Sequence, residues 1–302
     1  MELNSFQEKM RHFLPEIELR FEEPMSRHTS LRIGGPAEVM AFPQNPQELA
    51  HILKVSKELD ITCVILGAGT NILAPDEGCR GLIICLKDCL GGMEPLPGNC
   101  IRVMAGVTMA RAAVFAANHG LSGMEFAHGI PGTVGGGIYM NAGAYGGEMS
   151  GICRNVTLMD GAGQLREVNA RELEFSYRHS KLQESGEVVI SAALQLQPAA
   201  PEEIKQKMKE LQEKRLASQP LDYPSAGSAF KRPAGGYAAA LIDQAGLRGF
   251  RVGQAAIAQK HAGFAINLGG ATAVEMRELL TQVSDRVFRQ TGIRLEPEIR
   301  IW

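Results

Sequence analysis

The sequence has no surplus of positive charge. Lys and Arg number 31 against 33 Asp and Glu, a net charge of −2. A chain that grips a phosphate backbone normally shows the opposite balance, so nucleic acid is excluded as the main partner. There is also no cationic start followed by an apolar stretch; residues 1–9 are polar and mixed in charge, unlike a secretory leader. Apolar runs such as 61–66 and 112–117 are far too short to cross a bilayer, so no membrane insertion is expected. The six cysteines, at 63, 79, 85, 89, 100 and 153, form no C-x-x-C pair. Cys85 and Cys89 are followed by no H-x3-5-H at zinc-finger distance, which argues against a structural metal. Three of them lie in apolar, strand-like context, where a reduced cysteine is a small core residue. The expectation is a soluble cytoplasmic protein with no metal and no obligate protein partner.

The familiar nucleotide signatures are missing too. G-x-G-x-x-G fails at Gly67 because Ile72 stands in the sixth position, and no Gly-Lys pair exists anywhere. A Rossmann domain and a P-loop ATPase both drop out. What the chain does have is glycine, 34 of 302 residues, above the usual share of about 7%. No collagen period accompanies it, so the surplus belongs to places where backbone shape matters.

The first half alternates helix and strand. Asn45-Pro46-Gln47-Glu48 supplies an N-cap, a proline at N1 and an acid at N3, and Leu49, Ile52, Leu53, Ser56 and Leu59 follow at helical spacing. Strands are predicted at 61–66, 81–86, 100–105, 153–160 and 187–196, with a helix at 108–119 closed by Gly120. Residues 197–201 read as a linker, after which helices are predicted at 202–216, at 237–245 and from the capping box Thr272-Ala273-Val274-Glu275 to about Gln290. A strand at 293–302 closes the chain.

Glycines concentrate in residues 129–147, and no Lys or Arg occurs from 112 to 153. A phosphate held there must be held by backbone N–H groups, which glycine allows to approach closely. The bland alternative is a loop of tight turns that binds nothing.

Six blocks now carry a resemblance. They are Thr29-Ser30-Leu31-Arg32-Ile33-Gly34-Gly35-Pro36-Ala37, Leu66-Gly67-Ala68-Gly69-Thr70-Asn71, residues 129–148, Tyr177-Arg178-His179-Ser180, residues 224–231 and Leu295-Glu296-Pro297-Glu298-Ile299-Arg300. In this order they resemble the UDP-N-acetylenolpyruvoylglucosamine reductase (MurB) family over nearly the whole chain. The short spacing after Tyr177-Arg178-His179-Ser180 resembles the family's shorter type II form. The resemblance implies an α+β fold of the PCMH (vanillyl-alcohol oxidase) type. Residues 1–197 would bind FAD non-covalently in two subdomains, 1–66 and 67–197, and residues 198–302 would bind substrate.

By resemblance, Gly67, Ala68, Gly69, Thr70 and Asn71 would meet the FAD diphosphate from one side. Gly129, Gly132, Thr133, Gly135, Asn141 and Gly143 would meet it from the other. Ala68 departs from the Gly that the family often has. The implied activity is NADPH-dependent reduction of a UDP-sugar enolpyruvyl ether, a step of peptidoglycan precursor synthesis tied to cell shape and division. Arg178 and Glu298 would stabilise the charge that builds on the substrate carboxylate, and Ser228 would deliver the proton. Tyr145, Lys231, Arg232 and Gln254 are candidate substrate contacts. Taken singly, Ser228 reads as a turn residue, Arg178 as a surface arginine and His261 as a packed histidine. Glu296 and Glu298 lie two apart on the predicted strand, so parity does not choose between them; the match to the family's ending favours Glu298. The alternatives are a PCMH-fold flavin oxidase of an alcohol or hydroxy acid, and a scaffold protein without cofactor. No flavin-tethering His or Cys motif is visible to favour the first.

Overall fold

The structure, a computed structural model, describes residues 4–302. They form two compact units. The first comprises residues 4–21, 39–68 and 81–213, and the second 22–38, 69–80 and 214–302.

The first unit holds helices α1 (Ser5–Phe13), α2 (Pro46–Glu58), α3 (Met109–Asn118), α4 (Val134–Tyr139) and α5 (Leu182–Ser185). The Asn45 side chain accepts the Glu48 N–H at the start of α2, and Leu49, Ile52, Leu53 and Val55 are buried on one face. That face packs with Val39, Ala41, Leu82 and Ile84 of a four-stranded sheet. Its strand order is Glu18–Pro24, Pro36–Phe42, Cys79–Cys85, Cys63–Leu66, and the last two run parallel. A second sheet is antiparallel throughout, in the order Leu165–Asn169, Cys153–Met159, Val188–Gln195, Cys100–Met104, Met93–Leu96. Its core takes in the alanine-rich face of α3 and Val134 and Ile138 of α4. All six cysteines are free, and Cys85, Cys100 and Cys153 are buried. Burial pushes the Cys85 thiol up to about 11 and the Cys153 thiol up to about 12.

Two expectations are corrected. The stretch read as a linker is held, because Gln197–Pro198 pairs antiparallel with Leu121–Ser122 and α6 (Pro201–Ser218) begins at once. The closing strand shrinks to Arg300–Ile301, paired in parallel with Ile72–Leu73. Proline at 297 cannot donate to a ladder, and only an isolated bridge forms there, to Phe230.

The second unit builds a four-stranded sheet in the order Ser225–Ser228, Phe264–Asn267, Ala255–Ile257, Arg251–Val252. Helices α7 (Ala238–Gln244) and α8 (Ala273–Thr291) share its core with Leu31, Ile33 and Leu73 from the two earlier chain segments. Among the described residues no helix is long and apolar enough to cross a membrane.

Candidate functional site

The strand Cys63–Leu66 ends on the glycine loop 67–71. Gly67 has no room for a side chain, since a Cβ would come 2.7 Å from Thr133 Oγ1. Gly69 has φ +60 and a Cβ there would run into the His28 carbonyl. Among the described residues, no acceptor takes the N–H groups of Gly67, Ala68, Gly69 or Thr70. Unmade amide bonds are costly unless water or a ligand completes them.

The loop facing Gly67 within the first unit shares the property. Thr133 Oγ1 accepts the Gly136 N–H at 3.3 Å and caps α4. The N–H groups of Gly132 and Thr133 likewise find no acceptor among the described residues. Those of Val134 and Gly135 are used internally, on the Val107 and Ala105 carbonyls. Gly135 is required by packing, because a Cβ would press on Ala105. Gly129 opens this loop, half-buried. Spare amides of this kind suit a diphosphate such as that of FAD, which N–H donors can hold. In the first unit Gly67, Ala68, Gly132 and Thr133 could serve it, and in the second unit Gly69 and Thr70 carry the same spare N–H groups.

Asn141 lies elsewhere in the scheme. It is buried with φ +43; its Nδ2 donates to the Ser176 carbonyl at 3.0 Å and its Oδ1 accepts the Ser150 N–H at 2.9 Å. The side chain thus anchors the turn 176–179, which carries Arg178. Ser176 and His179 exchange both main-chain bonds across that turn, leaving Arg178 at φ +56. A left-handed arginine is strained, and such strain gathers at functional sites. Arg178 Nη2 donates to the Gly143 carbonyl at 3.4 Å, and its guanidinium lies over the Tyr177 ring at 5.0 Å. Gly143 and Ala144 pair with Glu148 and Gly147 in a hairpin whose tip is Tyr145 and Gly146, both with positive φ. That is the backbone of a tight two-residue hairpin turn, and it presents Tyr145 to solvent.

In the second unit, Ser228 ends an edge strand. Ser225 pairs with Ile266 and Ser228 with Phe264, so the strand carries one extra residue, and Gly227 takes φ +79. A bulge of this kind turns a side chain out of the regular alternation. The chain then runs beside the C-terminal segment: Lys231 N–H donates to the Glu296 carbonyl, and Glu298 N–H to the Ala229 carbonyl. The backbones of Ser228 and Glu298 are therefore neighbours. Glu296 turns to Lys231, whose Nζ donates to Glu296 Oε1 at the surface. Glu298 is half-buried, and its carbonyl accepts a 3.1 Å bond from Asn71 Nδ2.

The remaining candidates sit on the same unit's surface. Arg232 lies over the Tyr237 ring at 4.6 Å. Gln254 is exposed at a hairpin tip, its N–H bonded to Glu275 Oε2. His261 packs edge-on to Phe264 and its Nδ1 accepts the Gly263 N–H at 3.1 Å. Burial lowers its pKa. Sequence reasoning missed Asp76, whose two carboxylate oxygens accept the Ala273 and Val274 N–H groups; no local pattern marks a cap supplied from so far away.

Family models match the chain in two places. An FAD binding domain covers residues 37–169, and the UDP-N-acetylenolpyruvoylglucosamine reductase C-terminal domain covers residues 219–302. The UDP-N-acetylenolpyruvoylglucosamine reductase of Agathobacter rectalis is 42% identical over 308 residues, 98% of this chain and 98% of its own. This chain belongs to the UDP-N-acetylenolpyruvoylglucosamine reductase family. The reductase of Streptococcus pneumoniae is also 42% identical, over 297 residues and 98% of each chain. Among solved structures, MurB from Thermus caldophilus matches with a TM-score of 0.77 at 34% identity, covering 95% of this chain and 99% of that one. The fold is therefore the α+β, PCMH-type architecture of the reductase family.

Proposed function

We propose that the protein is an FAD-containing, NADPH-dependent UDP-N-acetylmuramate dehydrogenase. It reduces the enolpyruvyl ether of UDP-N-acetylglucosamine in the synthesis of peptidoglycan precursors. Membership of the reductase family and the FAD binding domain support the activity and the cofactor. A UDP-sugar as substrate is in keeping with a cytoplasmic enzyme that serves cell shape and division. Within this reading residues 1–197 bind FAD, in subdomains 1–66 and 67–197, and residues 198–302 bind substrate; an FAD binding domain at 37–169 and the reductase C-terminal domain at 219–302 fall within those two parts, although residues 22–38 and 69–80 pack with the second unit.

FAD, when bound, would supply hydride chemistry, with NADPH as the reductant and the terminal methylene carbon of the substrate as the acceptor. The amides of Gly67, Ala68, Gly69, Thr70, Gly132 and Thr133 would hold its diphosphate. Asn71, Gly129, Gly135, Asn141 and Gly143 complete the two loops, Asn141 by anchoring and Gly135 and Gly143 by close packing. Ser228 gives its proton to the carbon bearing the carboxylate. A serine is a weak acid, so this transfer needs a strongly basic carbon centre and a stabilised alkoxide. Arg178 and Glu298 steady the charge developing on the carboxylate. Tyr145, Lys231, Arg232 and Gln254 are assigned to substrate contact. The observation that supports the assignment is the main-chain bond from Glu298 to Ala229, the residue after Ser228.

The test is Ser228→Ala in the yellow, FAD-loaded enzyme. NADPH should bleach the flavin at the wild-type rate, while transfer to the enolpyruvyl sugar should fall about 100- to 10,000-fold, the range for a lost general acid. Equal loss of both half-reactions, or of neither, removes Ser228 from that role.

A further inference from the structure

We infer that the Asn71 side chain is a positioning residue for Glu298, tying the terminal acid to the flavin loop rather than binding the cofactor itself. The inference rests on the function proposed above. Two bonds define it. Asn71 Nδ2 donates to the Glu298 carbonyl at 3.1 Å, and the Arg300 N–H donates to the Asn71 carbonyl at 3.0 Å. One residue thus grips the chain on both sides of the buried Ile299. On its other side the Glu298 peptide donates to Ala229, one residue from Ser228. The main chain of Glu298 is therefore fixed from two directions, by the serine segment and by the loop that ends the run of spare amides. All of these groups lie in the second unit.

The chemistry explains the arrangement. Hydride and the Ser228 proton must reach adjacent carbons of one substrate while Glu298 steadies its carboxylate, so the Glu298 segment has to keep its register with the loop that seats the flavin. A carboxyl group on an untethered segment would wander, and a misplacement of about 1 Å can cost roughly 100-fold in rate. An asparagine suits the position because its amide donates to a carbonyl while its own backbone stays in the loop. Aspartate, of the same size, has no N–H and would set an acceptor against the oxygen end of the Glu298 carbonyl dipole.

The experiment compares Asn71→Ala and Asn71→Asp with wild type in the FAD-loaded enzyme. FAD affinity is read from flavin fluorescence, the two half-reactions from anaerobic stopped flow, and main-chain mobility from hydrogen exchange at residues 298–302. For Asn71→Ala we expect FAD affinity and NADPH bleaching within about 2-fold of wild type. Transfer to the enolpyruvyl sugar should slow about 10- to 100-fold, and exchange at the Arg300 amide should rise. Asn71→Asp should slow transfer at least as much. Weakened FAD binding with both half-reactions falling together overturns the inference and returns the side chain to the cofactor. So does transfer at the wild-type rate in both variants. Wild-type enzyme that bleaches with NADPH yet transfers nothing to the sugar overturns the proposed function first, and this inference with it.

Discussion

His261 shows at the scale of one residue how packing becomes pH dependence. Its ring lies edge-on to Phe264 and accepts the Gly263 N–H on Nδ1, an arrangement that requires the neutral imidazole. Burial lowers its pKa from 6.5, so the unfolded chain takes up the proton before the folded one does. The stabilisation is present above the unfolded value of about 6.5 and is lost as pH falls through the folded value. Thermal unfolding followed from pH 7 to pH 5 should show a fall in stability that His261→Gln reduces; an unchanged slope would place the pH dependence on other groups. The asparagines teach a related lesson. The resemblance implies that Asn71 and Asn141 meet FAD; their side-chain amides donate to the Glu298 and Ser176 carbonyls, partners that lie far along the chain and leave no mark near the asparagine.

At the scale of elements, α8 shows what a helix start needs. Its first N–H groups are all taken by side chains: Ala273 and Val274 by Asp76, and Glu275 by Thr272 Oγ1 at 3.1 Å. The Thr272–Glu275 capping box was legible because both halves lie within four residues, as was the Asn45–Pro46–Glu48 start of α2. Asp76 was not, because it acts across the fold. Asp76→Ala should cost about 1 kcal/mol and raise amide exchange at Ala273 and Val274, as for a lost N-cap. Asp76→Asn, which keeps an acceptor, should cost less. Equal exchange in wild type and Asp76→Ala would show that water replaces the cap fully. The strand expected at 293–302 failed for the same reason that Asp76 was missed. Extended residues become a strand only when a partner is present, and in the described structure only Arg300–Ile301 finds one, in Ile72–Leu73.

At the scale of the molecule, the second unit is assembled from residues 22–38, 69–80 and 214–302. The α+β class, most helices and the six motif blocks could be read from the sequence, but this interleaving could not, since each piece is ordinary by itself. Leu31, Ile33 and Leu73 are buried in the core that α7 and α8 complete. A fragment of residues 214–302 alone would therefore lack part of its core. It should bind a hydrophobic dye and show little near-ultraviolet dichroism; a cooperatively unfolding fragment would show that the earlier segments add little. The interleaving also sets a timetable. A chain emerging from the ribosome at about 5–20 residues per second makes roughly 180 residues after Ile33 before the last segment begins, a wait of about 10–40 s. During it Leu31, Ile33 and Leu73 have none of their later partners. A nascent chain with two apolar side chains waiting this long, and Leu73 for about three quarters of it, invites chaperone binding, and slower translation of the last third would lengthen that exposure.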